Sequence, residues 1–242
     1  MNLDPTSLKY LQDVVRVCRL VGVDNVAIEP KMIRGMDDDQ KVVIFLNDEG
    51  LAIPNRKVPD FAFGSIGLSR LGVFQTRLDI ARTQDKFTIE VVTKPDVPYV
   101  QSLVMKATGT KIDYRCMDPT KIKAPKKLND VMKFRVKINA QAVTLLQKAV
   151  AAMSADVVTL ISNSEGVSFE LVDVNKDVFK HTFADDVEVL DDGKGVSFAH
   201  RYPVKTLLSM FKEDPAGTFE VGGKGLLLFP IAGINVYVLP QI

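Results

Sequence analysis

The stretch LKYLQDVVRVCRL, residues 8–20, decides how the chain is read, because AQAVTLLQKAVAAM, residues 140–153, is its later counterpart. In the first, Leu8, Leu11, Val15 and Cys18 recur at the three-to-four spacing of a buried helical face, while Lys9, Gln12, Arg16 and Arg19 form a basic stripe. In the second, Lys148 shares the polar face with Gln141, Thr144 and Gln147. Outward from the first helix, strands are expected over 26–29 and 42–46, then an extended Phe61-Ala62-Phe63, a helix over 69–78, and strands over 87–93, 100–106 and 111–116. The second helix leads to strands over 157–162, 167–173 and 178–183, then Phe198-Ala199-His200, a short helix over 203–212 and a hairpin of 217–221 with 225–240. Matching features keep a nearly constant offset: Leu11 with Leu146, Val15 with Val150, Asp37 with Asp173, Phe61 with Phe198 and Leu71 with Leu208. The chain therefore reads as two copies of one α+β domain, over 1–117 and 131–242. Residues 118–130 hold Pro119 and Pro125 with Lys121, Lys123, Lys126 and Lys127, and read as an extended connector.

The other helices repeat the two-faced pattern. Leu71, Phe74 and Leu78 turn inward with Arg70 and Arg77 elsewhere; Val204, Leu207, Leu208 and Phe211 turn inward with Lys205 and Lys212 outside. A charged face on one helix is simply solvated. Repeated along the chain, with Asp13 and Asp79 as exceptions, it reads as a surface for phosphates, which lysine and arginine contact without reading base sequence.

Composition narrows the alternatives. With 242 residues, 46% hydrophobic and 25% charged, the chain can bury a core, and its longest apolar runs are strand-sized rather than the roughly 20 residues a membrane helix needs. A net charge of +1 means that any basic surface arises by segregation of charge. Asp4 and Pro5 stand where a secretory leader would begin, and the two cysteines, Cys18 and Cys116, read as reduced structural thiols, so an intracellular protein is expected. The two histidines, His181 and His200, have no carboxylate or cysteine at a metal-ligand spacing. The acidic runs at 37–39 and 185–192 read as solvated turns, and no phosphate loop, nucleophile elbow or zinc helix motif is present. Neither a cofactor, a metal nor an enzymatic activity is expected.

In its order and spacing the chain resembles the DNA sliding clamps: proliferating cell nuclear antigen of eukaryotes and archaea, and the related clamps of tailed phages. The resemblance covers essentially the whole chain. Its local marks are Met36-Asp37, Met117-Asp118 followed by Ile122-Lys123-Ala124-Pro125, and the terminus Val236-Tyr237-Val238-Leu239-Pro240-Gln241-Ile242. It implies two tandem clamp domains, with helices lining a ring of three subunits and antiparallel sheets outside. Twelve helices about 9 Å apart give a circumference of roughly 110 Å and a ring about 34 Å across, wide enough for duplex DNA. The implied function is a processivity factor that encircles double-stranded DNA, is opened by a clamp loader and tethers DNA polymerase. The hole would be lined by Lys9, Arg16, Arg19, Arg70, Arg77, Lys148, Lys205 and Lys212. Partner peptides would enter a pocket of Met36, Ile122, Ala124, Pro125, Tyr237, Leu239 and Pro240. Subunits would join through Lys111, Ile112, Asp113 and Tyr114 against Val178, Phe179, His181 and Phe183 of a neighbour. The implied place is host cytoplasm for a phage protein or the nucleus for a eukaryotic one. Three other readings stay open: a subunit of a heteromeric clamp-like ring in repair or checkpoint, an unrelated α+β enzyme, and a scaffold without DNA.

Overall fold

Asp4 starts the first helix. Its carboxylate accepts hydrogen bonds from the Thr6 and Ser7 amides at 2.9 and 3.0 Å and from the Ser7 hydroxyl at 2.6 Å, satisfying donors that a helix start leaves bare. These interactions, the Ser7 side chain first, hold the Asp4 carboxyl below its ordinary value. In the computed structural model of the chain, residues 1–47, 64–125, 128–163, 166–183, 186–190 and 196–241 are described. Phe61-Ala62-Phe63, Lys126, Lys127, Asp185, Asp191, Asp192 and Ile242, all used above, lie outside the described residues. The chain divides into two compact units, residues 1–126 with 232–234 and residues 127–231 with 235–242.

In the first unit, α1 (Pro5–Leu20) is followed by β1 (Asn25–Glu29), β2 (Met32–Met36), β3 (Val42–Asn47), β4 (Ile66–Ser69), α2 (Leu71–Arg82), β5 (Thr88–Val92), β6 (Ser102–Ala107) and β7 (Thr110–Arg115). One sheet runs β3-β2-β1-β4 and the other β5-β6-β7, all antiparallel. The N-terminal residues add to β5, with the Leu3 amide on the Ile89 carbonyl at 2.8 Å and the Val91 amide on Met1 at 2.7 Å. In the second unit, β8 (Met132–Lys137) precedes α3 (Ala140–Met153), β9 (Val157–Asn163), β10 (Gly166–Val172), β11 (Val178–Phe183), β12 (Val187–Val189), β13 (Phe198–Pro203), α4 (Val204–Glu213), β14 (Thr218–Gly222), β15 (Leu227–Ile231) and β16 (Ile234–Val238). Its strands order as β11-β10-β9-β13 and β12-β8-β14-β15-β16.

The element order repeats, and equivalent hydrogen bonds set its register. The Leu71 amide bonds to the Asp24 carbonyl at 3.2 Å as the Val204 amide does to Asp156 at 3.0 Å. Asp37 closes the turn into β3 by accepting from the Lys41 and Val42 amides, both at 2.8 Å; Asp173 does the same for Asn175 and Asp177 before β11. The acidic run at 37–39 is thus a turn whose first carboxylate caps backbone donors. Leu71 corresponds to Val204, one helical turn before the expected Leu208, and Leu208 is only half-buried. The helix expected from residue 69 begins at Leu71 because Ser69 ends β4 and Arg70 adopts a left-handed conformation, φ 55° and ψ 54°. Strand β2 was not expected: Arg34 and Gly35 break the alternation that signals a strand, yet both are buried.

Each unit has its own core. In the first, Val14, Val15, Val17 and Cys18 are fully buried, a wider stripe than the sequence spacing gave, whereas Leu8 is half-buried. Phe74 meets Tyr114 edge to face at 4.8 Å. In the second, Phe169, Phe183, Phe211, Phe219 and Phe229 form a connected cluster with centroids 5.0 to 6.0 Å apart. Helices α1 and α2 pack together, as do α3 and α4; α2 also rests on β6 and β7, and α3 on β10 and β11.

Candidate functional site

The basic residues divide by what holds them. On α1, Lys9 pairs with Asp13 at 2.8 Å and Arg16 approaches the same carboxylate at 4.0 Å, while Arg19 is exposed beyond it. Three cations to one carboxylate leave the stripe positive. Lys148 on α3 and Lys205 and Lys212 on α4 are exposed. Arg70 is exposed at the left-handed step before α2 rather than on its helical face. Arg77 instead bends to donate from its guanidinium to the Asp113 carbonyl at 3.1 Å, a contact the helical spacing did not signal.

That carbonyl belongs to an open sheet edge. Strand β7 ends its sheet, and pairing with β6, continued by the Cys116 amide on Gln101 at 2.9 Å, turns the main-chain groups of Thr110, Ile112 and Tyr114 inward. Lys111, Asp113 and Arg115 therefore direct theirs outward. Strand β11 ends its own sheet in the second unit; the Asp173 amide on Asp177 sets the parity, so Val178, Lys180 and Thr182 direct theirs outward. Among the described residues no strand pairs with either outer side. Of the candidate joining side chains, Lys111, Asp113 and Val178 are exposed, and Ile112, Phe179 and His181 are half-buried. Tyr114 and Phe183 are buried in their own cores, and the Tyr114 hydroxyl donates to the Ser69 carbonyl while accepting its amide at 2.9 Å. Beside these edges the helices expose apolar side chains: Val73 and Ile80 on α2, Leu145 on α3.

A cavity of about 300 Å³ opens in the first unit between Asn25, the turn Met36-Asp37-Asp38, Met117 and the connector residues Lys121, Ile122 and Lys123. Met36 and Ile122 both line this cavity, and Ala124 and Pro125, which follow Ile122 in the chain, are half-buried. The connector is shaped by a 3-10 turn, Pro119–Lys121, capped by the Asp118 carboxylate on the Thr120 amide at 2.9 Å. Hydrogen bonds from the Thr120 hydroxyl and amide hold that carboxyl below its ordinary value. Tyr237, Leu239 and Pro240 belong to the second unit, where Tyr237 is buried and its hydroxyl pushed up to about 12 by desolvation, and the other two are half-buried. Among the described residues no three or more His, Cys, Asp or Glu converge on a metal-like site, and no helix is long and apolar enough to cross a membrane.

No family model and no curated protein matches the sequence. Solved structures do. A. fulgidus PCNA, in a structure with the C-terminal region of FEN-1 bound, aligns over 97% of this chain and 96% of its own at TM-score 0.58 and 19% identity. Thermococcus kodakaraensis PCNA aligns over 100% and 99% at TM-score 0.60 and 14% identity, and a chain of the Sulfolobus tokodaii PCNA2-PCNA3 complex over 96% and 95% at 0.57 and 13%. With four α-helices among the described residues, two element repeats and end-to-end alignment, the chain has the fold of the PCNA sliding clamps.

Proposed function

We propose that this chain is a DNA sliding clamp: three copies close into a ring around duplex DNA, and the ring tethers DNA polymerase and other replication proteins without chemistry of its own. The observation that carries the proposal is the pair of open strand edges, β7 in the first unit and β11 in the second, each with three residues directing main-chain groups outward. An open edge is an aggregation hazard unless something pairs with it, and head-to-tail closure removes every such edge at once. Because α2 rests on β7 and α3 on β11, joining the edges of two copies brings those helices side by side, where Val73 and Ile80 would cover Leu145. The exposed Lys9, Arg16, Arg19, Arg70, Lys148, Lys205 and Lys212 supply a weak phosphate-contacting lining, with Arg77 at its margin. The cavity at Met36 and Ile122 receives apolar anchors from partner tails, the clamp loader's among them.

Light scattering of the purified chain over a dilution series tests this. A mass of three subunits is expected. A persistent monomer overturns the homotrimer and favours a heteromeric ring, the arrangement suggested by the likeness to a chain of the PCNA2-PCNA3 complex.

A further inference from the structure

We propose that Arg34 is a positioning residue for the partner cavity, pinning residues 117–123, where the first copy runs into the connector, so that the cavity wall is formed before any partner arrives. The inference rests on reading that cavity as a peptide site. Arg34 is 6% exposed, and its planar guanidinium spends its donors in three directions. Nε meets the Glu29 carboxylate at 2.9 Å, Nη1 the Ile122 carbonyl at 3.1 Å and Nη2 the Pro119 carbonyl at 3.0 Å. Two of these acceptors belong to the first residue of the connector's turn and the residue that caps its end, so one rigid group fixes the backbone that presents Lys121, Ile122 and Lys123 to the cavity.

A second contact seats the same segment. The Met117 amide bonds to the Gly67 carbonyl at 2.8 Å, and a Cβ on Gly67 would collide with the Met117 carbonyl and press the Ile122 side chain. The connector can lie here only because position 67 has no side chain.

The repeat supplies an internal control. Arg34 and Gly67 both stand opposite Ala27 in the sheet; in the second unit the residues opposite Thr159 are Glu170 and Arg201. A carboxylate cannot donate to carbonyls, so the second unit has no counterpart of the Arg34 fork at this position. Correspondingly Ala27 is fully buried while Thr159 is half-exposed and Arg201 exposed. In the second unit residue 241 takes the matching place, the Gln241 amide on the Arg201 carbonyl at 2.7 Å, so the main-chain seat recurs there while the arginine fork stands in the first repeat alone. Without the fork, a binding partner would have to order the segment itself, which weakens affinity through entropy.

The test uses the full chain and its variants Arg34→Gln, Arg34→Lys and Gly67→Ala, with two readouts. Amide hydrogen exchange over 117–123 reports anchoring without any ligand. Calorimetric titration with a synthetic peptide from the C-terminal region of FEN-1 reports the consequence. In Arg34→Gln and Gly67→Ala, exchange over 117–123 rises at least about tenfold with α1 and β5–β7 protection unchanged, and peptide affinity falls on the order of tenfold through a less favourable entropy. Arg34→Lys, with a single ammonium in place of the fork, falls between. Unchanged exchange in Arg34→Gln overturns the anchor, and raised exchange with unaltered affinity overturns its role in positioning. Failure of the unsubstituted chain to bind the peptide overturns the cavity's reading for this peptide class, and the exchange data then judge the anchor independently.

Discussion

Tyr114 shows how a residue in a candidate interface serves the interior of its own unit. Its ring is buried against Phe74, and its hydroxyl bridges to both main-chain groups of Ser69, tying β7 to β4. Tyr114→Phe keeps the ring and strands those groups, and is expected to destabilise the chain by about 1–3 kcal/mol in urea unfolding. The cysteines give a chemical readout of the same packing. Burial, with a smaller push from Asp113, raises the Cys116 thiol to about 12, and burial raises Cys18 further. Both thiols should resist iodoacetamide at pH 8 in the native chain and react promptly in urea. For Cys116 the native state holds the proton more tightly than the unfolded one, so its contribution to stability is complete below pH 9.0, the ordinary value, and is lost as pH rises above it. Asp4 runs the other way: its lowered carboxyl contributes above 3.8 and the contribution disappears as pH falls below, so α1 should fray first in acid, seen as lost amide protection over residues 6–8.

Elements give their own test, since parity separates a strand's internal ladder from its open edge. Asp113→Pro removes an outward amide and no bond to β6, so it should abolish the three-subunit mass while leaving circular dichroism unchanged; an intact trimer would remove β7 from the joint. The helices and their buried faces were legible because apolar residues recurred at helical spacing over several turns. The start of α2 was not, since nothing in Ser69-Arg70-Leu71 announces a left-handed arginine. Strand β2 escaped for a related reason: its central Arg34 reads as a solvent residue, and only Glu29 and the connector carbonyls, 85 and 88 positions away, make its burial tolerable. The candidate joint and cavity came from resemblance to clamps, and spacing alone would have found neither.

For the whole molecule, encirclement predicts a dependence on topology that no contact-based binder shares. Once loaded, the ring should remain on closed circular DNA at moderate salt and leave promptly when the circle is cut, as followed by gel filtration of labelled protein. Exchanging Lys9, Arg16, Lys148 and Lys205 together for alanine should lower loading and flatten its salt dependence while the three-subunit mass persists. Loss of the trimer in that variant would move these residues from the hole to the joint. Retention after cutting would mean that the protein grips DNA directly.

Arg77 bears on how such a ring could be parted. Its guanidinium already occupies the Asp113 carbonyl that faces outward from β7, so the open edge is not left wholly bare in a single chain. A zipper whose first tooth has a resting place when undone can be parted and fastened repeatedly. On that view the arginine lowers the toll of each opening, and Arg77→Ala should give rings that close as well as before but reopen more slowly under a loader.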